Sequence, residues 1–150
     1  MRKLVLLFWL LIPIPLHSAP MLSWPDKIIL LTTTDNKASI GEEKRAAKGA
    51  AFDYYFVDHS KKILSGFEQA FPKKLIKEPE EVRNQYIAKH FAPQLKAYTP
   101  EIMRSEMGIG LVKLFQIKRV PAVIINDKYI TYGLSVEQSV NRYIKTRQRN

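Results

Sequence analysis

Arg119-Val120-Pro121-Ala122-Val123-Ile124-Ile125-Asn126-Asp127-Lys128-Tyr129-Ile130-Thr131-Tyr132-Gly133 is the stretch on which the reading of this 150-residue chain turns. A proline opens an apolar, β-branched run, Asn126 and Asp127 supply turn chemistry, and a second short strand ends on a glycine. The pattern predicts a hairpin, with strands over residues 120–126 and 128–132. Proline has no backbone N–H, so Pro121 belongs at the start or the edge of a strand.

Downstream, Ser135 with Gln138 has the form of a capping box, and Val136, Val140, Tyr143 and Ile144 would line the inner face of a last helix. Upstream, residues 27–34 (KIILLTTT) carry no polar alternation until their end, which suits a central strand buried on both faces. Ser39 with Glu42 suits a capping box for a short helix, which Gly41 and Gly49 weaken towards a surface loop. Residues 52–58 (FDYYFVD) read as a second strand. A helix should begin near Ser60, with Ile63, Leu64, Phe67, Ala70 and Phe71 on one face and Pro72 closing it. Pro79 with Glu80 and Glu81 is a helix start, with Val82, Tyr86 and Ile87 inward and a break at Pro93. Thr99-Pro100-Glu101 repeats that start signal, and Ile102, Met103, Met107, Leu111, Leu114 and Phe115 form the expected apolar stripe.

The resulting order is strand, short helix, strand, three helices, hairpin and terminal helix. That is an α/β order matching thioredoxin-like topology, a central mixed sheet with flanking helices. In such folds the bond before the proline is cis, so Val120–Pro121 is expected to be cis. The loop after the first strand should face it. The candidate partner-binding residues are therefore Arg119, Val120, Pro121 and Ala122, with Thr33, Thr34 and Asp35 opposite. Strand-end turn chemistry is the plainer account of that Thr/Asp cluster. Thiol enzymes of the fold place a Cys-x-x-Cys pair at this point, but the chain has no cysteine. Thiol redox reactions and thiolate–metal sites are thereby excluded.

No other constellation argues for catalysis. His59 and His90 lack the spacing of a metal pair, and Asp58 reads as a helix cap with His59 exposed. Gly108-Ile109-Gly110 is an incomplete phosphate loop that follows no strand, and no nucleophile elbow is present. Glu78, Glu80 and Glu81 fit the dipole of a helix start. The chain is read as a non-enzyme with no catalytic residues, metal, cofactor or small-molecule substrate.

Residues 1–19 read as a signal peptide: Arg2 and Lys3, an apolar stretch over residues 4–16, then small residues up to Ala19. The stretch is short of the roughly 20 apolar residues that span a bilayer. Residues 20–150 are then a single domain, long enough to build its own core without disulfides. The chain carries a formal charge of +10, from 24 basic and 14 acidic residues, and losing Arg2 and Lys3 leaves +8. Such a balance suits anionic partners. Nucleic acid or an anionic membrane surface is thus an alternative partner, with Tyr129, Tyr132, Tyr143, Arg142 and the basic tail as its surface. Core packing of those rings is the preferred account.

The block from Lys113 to Gly133 resembles the most recognisable part of a family of integrating conjugative element proteins. There a helix leads through a basic residue into a Val-Pro-Ala-Val-Val strand and then a Tyr-Val-Val-Tyr-Gly strand. Val57-Asp58-His59-Ser60, with the helix that follows to Pro72, is similar to the same family's middle segment. The likeness covers most of the mature chain, residues 35–51 excepted. It implies an exported, periplasmic accessory protein of a conjugative type IV secretion system, distantly similar to thioredoxin-like TrbC-type pilin-assembly proteins. It implies protein partners within a secretion or conjugation apparatus, and it supplies no catalytic residues.

Overall fold

Lys27–Thr32 form β1, whose Ile28 and Leu30 point to one side of a sheet while Ile29 and Leu31 point to the other. This period-two alternation with apolar residues at every position requires cover on both faces. In the computed structural model, which describes residues 24–149, both faces are covered. The expected signal segment, residues 1–19, lies outside the described residues.

The sheet has four strands in the order β2-β1-β3-β4. β2 (Ala51–Phe56) runs parallel to β1, and Ile28 stands opposite Phe52. β3 (Ala122–Ile125) pairs antiparallel with the other side of β1, Leu31 against Ala122. β4 (Tyr129–Tyr132) completes the hairpin, Ile125 against Tyr129. The architecture is therefore α/β with a mixed four-stranded sheet. β3 is shorter than the expected 120–126, and it is central, paired on both sides.

Asn126 and Asp127 make the turn with positive φ angles of 49° and 56°, a conformation that these two residue types tolerate better than most. Asn126 Oδ1 accepts the backbone N–H groups of Asp26 and Lys27, each at 3.0 Å. Lys27 Nζ lies 3.0 Å from Asp127. The turn is thereby tied to the start of β1. The Val120–Pro121 bond is cis, as expected.

One face of the sheet is covered by α1 (Ile40–Ala46) and α5 (Val136–Arg147). Ala47, Val136, Val140 and Tyr143 pack there against Ile28, Leu30, Val123 and Ile125. At about 1.5–3 kcal/mol for each large apolar side chain buried, this layer is a principal source of stability. Ser135 and Gln138 form the expected capping box on α5. The box expected at Ser39 is absent: the Ser39 hydroxyl donates to Asn36 O at 2.8 Å. Residues Thr34–Ser39 form a 3₁₀ turn leading directly into α1, so Ser39 already has helical dihedrals and cannot turn its side chain to a free N–H. Glu43 of α1 instead caps α5, its carboxylate accepting from Val136 N at 2.7 Å.

The other face is covered by α4 (Ala92–Leu114), against which α2 (His59–Ala70) packs. Leu111, Val112 and Phe115 pack over Ile29, Leu31, Ile117 and Ile124. α3 (Glu80–His90) touches α4 and the 73–77 turn rather than the sheet. Phe67, Phe71, Tyr86, Phe91 and Tyr98 interlock in edge-on and tilted pairs among these helices.

Several expectations fail here, the inward place of Leu64 on α2 among them, since it is exposed. α4 is one 23-residue helix that passes through Pro100 instead of starting at Thr99. Pro100 forfeits the hydrogen bond to the Lys96 carbonyl, a substantial local cost. The stacking of Phe91 and Tyr98 on Phe67 holds the preceding turns helical, and Pro93 falls in the first turn, where proline is tolerated. The expected apolar stripe is also displaced, because Met103, Met107 and Leu114 are exposed while Ser105 and Gly108 face inward. Val82 and Ile87 of α3 are likewise exposed rather than inward.

Candidate functional site

The Val120–Pro121 bond sits between two depressions. On one side Pro121, Thr32, Asn36, Ser39 and Glu43 line a cavity of about 160 Å³. Asn36 Nδ2 donates to Thr32 Oγ1 at 3.0 Å, which folds the segment after β1 towards the proline. On the other side, Val57, Ile109, Val112, Ile117 and Val120 wall a cleft of about 300 Å³. Lys118 and Arg119 stand at its mouth, both exposed.

These residues converge because α4 ends in a tight turn. Ile117 N donates to Val112 O at 2.8 Å and Gln116 N to Lys113 O at 3.2 Å, the two bonds of a Schellman motif. Gln116 occupies the left-handed position with φ 51°. The chain thus leaves α4 doubled back beneath the sheet and delivers residues 117–120 to the head of β3. Pro121 O accepts from Gly133 N at 2.9 Å, but among the described residues the N–H and C=O of Val120 take no hydrogen-bond partner. The Arg119 guanidinium lies over the Tyr132 ring, 5.7 Å from its centroid. Among the described residues neither Lys118 nor Arg119 has an acidic partner.

Of the seven candidate residues, Arg119, Val120 and Pro121 are together and accessible. Ala122 is not: it is fully buried and paired to both Leu31 and Tyr132, so it offers neither side chain nor backbone to a partner. Pro121 faces Thr32, Asn36 and Ser39, not Thr33, Thr34 and Asp35. Thr34 and Asp35 belong to a separate polar cluster at the start of α2. There Asp58 accepts from Thr34 N at 2.8 Å and from Thr34 Oγ1 at 2.9 Å. Lys62 bridges Asp58 at 2.8 Å and Asp35 at 3.0 Å. Burial opposes ionisation of Asp58, but the bonds from Lys62 and Thr34 outweigh it and hold the carboxyl below its usual range. Asp58 and then Asp35 push the Lys62 ammonium above its ordinary value.

Asp58 thus stands at the N-cap position without capping α2 through its side chain. His59 is half-buried, edge-on to Phe56 and 3.4 Å from Glu101, rather than exposed. Behind it Ser105 accepts from Ser60 N at 3.0 Å and donates to Phe56 O at 2.7 Å, locking α2, α4 and β2 together.

A larger cleft, about 580 Å³, lies between α2 and the first half of α4, with Ile63, Phe67, Phe91 and Tyr98 as its apolar lining. It escaped the sequence reading because its lining is shared between helices whose mutual packing has no local signature. Several of its polar groups are already engaged: Thr34 and Lys62 in the Asp58 cluster, His59 with Glu101, and Gln94 with His90 O. The cleft beside Val120 differs in holding two cations without acidic partners and a backbone position without hydrogen-bond partners, both among the described residues.

Tyr143 is buried, with Tyr129 edge-on to it and Asn126 Nδ2 donating to its hydroxyl at 3.3 Å. The basic end of α5 therefore lacks the open aromatic platform that stacking of bases requires. Among the described residues no helix is long and apolar enough to cross a membrane, and no three His, Asp or Glu side chains gather in a metal-holding group.

The sheet and its paired clefts define a cysteine-free α/β domain, with Val120 and Pro121 lying between the two clefts. No family model matches the chain, and no curated protein matches it in sequence.

Proposed function

We propose that the chain is a thioredoxin-like, non-enzymatic accessory protein of a conjugative type IV secretion system, exported to the periplasm, that grips an extended partner segment at Val120–Pro121. One observation carries the docking part of this reading. Among the described residues Val120 has an unpaired N–H and C=O, beside a proline that faces the segment after β1. An extended chain laid along Val120 satisfies both groups, a one-residue form of β-augmentation. The strand order β2-β1-β3-β4, with only β1 and β2 parallel, supports the thioredoxin-like assignment. The absence of cysteine separates this protein from the thiol enzymes of that fold. The secretion-system context rests on the resemblance of residues 113–133 to the integrating conjugative element family.

Deleting the gene from a conjugative element is expected to abolish transfer, and Pro121→Ala is expected to weaken capture of a secretion-system component. Undiminished transfer in the deletion strain would overturn the functional assignment.

A further inference from the structure

The cleft beside Val120 has a chemistry that specifies what it takes. We infer that it receives an apolar side chain followed closely by a carboxylate, both on one extended segment of a partner protein. This rests on the docking reading above and narrows the partner to an acidic class.

The walls are aliphatic throughout, and a volume of about 300 Å³ lies at the small end of the range that ligand sites occupy, roughly 300–1,000 Å³. Such a pocket gains by taking up an apolar side chain and offers no hydrogen bond to a polar one. Polarity is confined to the rim. Lys118 and Arg119 project there without acidic partners among the described residues. The ring of Tyr132 beneath Arg119 orients the guanidinium, so less freedom is lost when it takes a carboxylate in its two-pronged geometry. Val120 contributes the third element, a backbone donor and acceptor without partners among the described residues. The two cations and the open peptide group lie on consecutive residues at the edge of the apolar pocket, so one short segment meets all three. The net positive charge, +10 for the whole chain and +8 once Arg2 and Lys3 are lost, draws acidic partners towards such a site.

A protein segment suits the site better than nucleic acid or lipid. The cleft has no exposed aromatic platform for bases, and two cations make a small electrostatic footprint for a phosphate backbone or a bilayer.

The test is fluorescence anisotropy of the full chain with labelled heptapeptides. The reference peptide has one leucine followed by two glutamates in a Ser/Thr background. Comparison peptides replace the glutamates by glutamines or lysines, or the leucine by glycine. The reference peptide should bind at least tenfold more tightly than each comparison. Arg119→Gln and Lys118→Gln, both on exposed side chains, should each remove about three- to tenfold of its affinity while leaving the glutamine peptide unchanged. Ile109→Glu should weaken all leucine peptides.

Equal binding of all the peptides, still sensitive to Pro121→Ala, would overturn the acidic-apolar assignment and leave the docking edge standing. No binding of any peptide would overturn both. Tighter binding of a labelled oligothymidine or of phosphatidylglycerol vesicles than of the reference peptide, lost in Arg119→Gln, would assign the rim to phosphate instead.

Discussion

Gln116 holds a backbone position that glycine fills more comfortably. Its φ of 51° and the two Schellman bonds around it close α4 and aim the chain at Val120. A side chain in the left-handed region costs roughly 1–2 kcal/mol, partly offset in glycine by its greater loss of backbone entropy. Gln116→Gly should therefore raise stability by about 0.5–1 kcal/mol, read as a higher urea midpoint with an unchanged slope; a lower midpoint would contradict the assigned turn. Neither this turn nor the role of Asn126 was legible in full. Asn126-Asp127 announces a turn through residue type, but its tie to Asp26 and Lys27 joins positions some hundred residues apart. No local pattern encodes that contact.

β2 and α4 meet through small residues, and this close approach explains where the helix stripe was misread. A Cβ placed on Gly108 would come within 2.6 Å of Tyr55 Cβ. In an exposed helix Gly→Ala gains about 1 kcal/mol from propensity. Here the clash should reverse the sign, so Gly108→Ala is expected to destabilise by about 1–3 kcal/mol. Thermal melts of the variant and the parent measure it, and a raised Tm would show that the two elements do not touch at that point. A stripe chosen for large apolar residues finds Met103 and Met107, because size marks most buried faces. A face built from Ser105 and Gly108 looks polar in sequence although it is the packed one. By contrast β1, the β3–β4 hairpin and the α5 capping box were legible, since each rests on short-range periodicity or on a side chain bonding its own neighbours.

Asp58 ties Thr34, just after β1, to Lys62 of α2, and that gives the whole protein a pH signature. Asp58 titrates below the usual carboxylate value in the folded state, so its contribution is complete above about pH 4–5 and disappears as pH falls through the folded value. Lys62 titrates above its ordinary value, so its contribution is present below about pH 10 and fades only as pH rises through the higher folded value. Stability should therefore change little from these groups between about pH 5 and 9 and fall in acid. Urea midpoints at pH 6 and pH 3 should differ less in Asp58→Asn than in the parent; an identical acid loss would remove Asp58 as a cause. At this scale the class of fold was legible, because the element order restricts the topology. The clefts were not, since Val57, Ile109 and Val120 become neighbours only when the sheet closes.

The pairing of Ile28 with Ile125 also sets a timetable. During synthesis β1 leaves the ribosome early and can meet β2 soon afterwards, but its other flank must wait for residues made near the end. Until then a strand of Ile28, Ile29, Leu30 and Leu31 stands with one row of peptide groups bare, the kind of surface that recruits other chains. A nascent chain stalled before Ala122 thus has no native way to cover that flank. The hairpin is the last part of the sheet to arrive and the one that lets the oldest strand close.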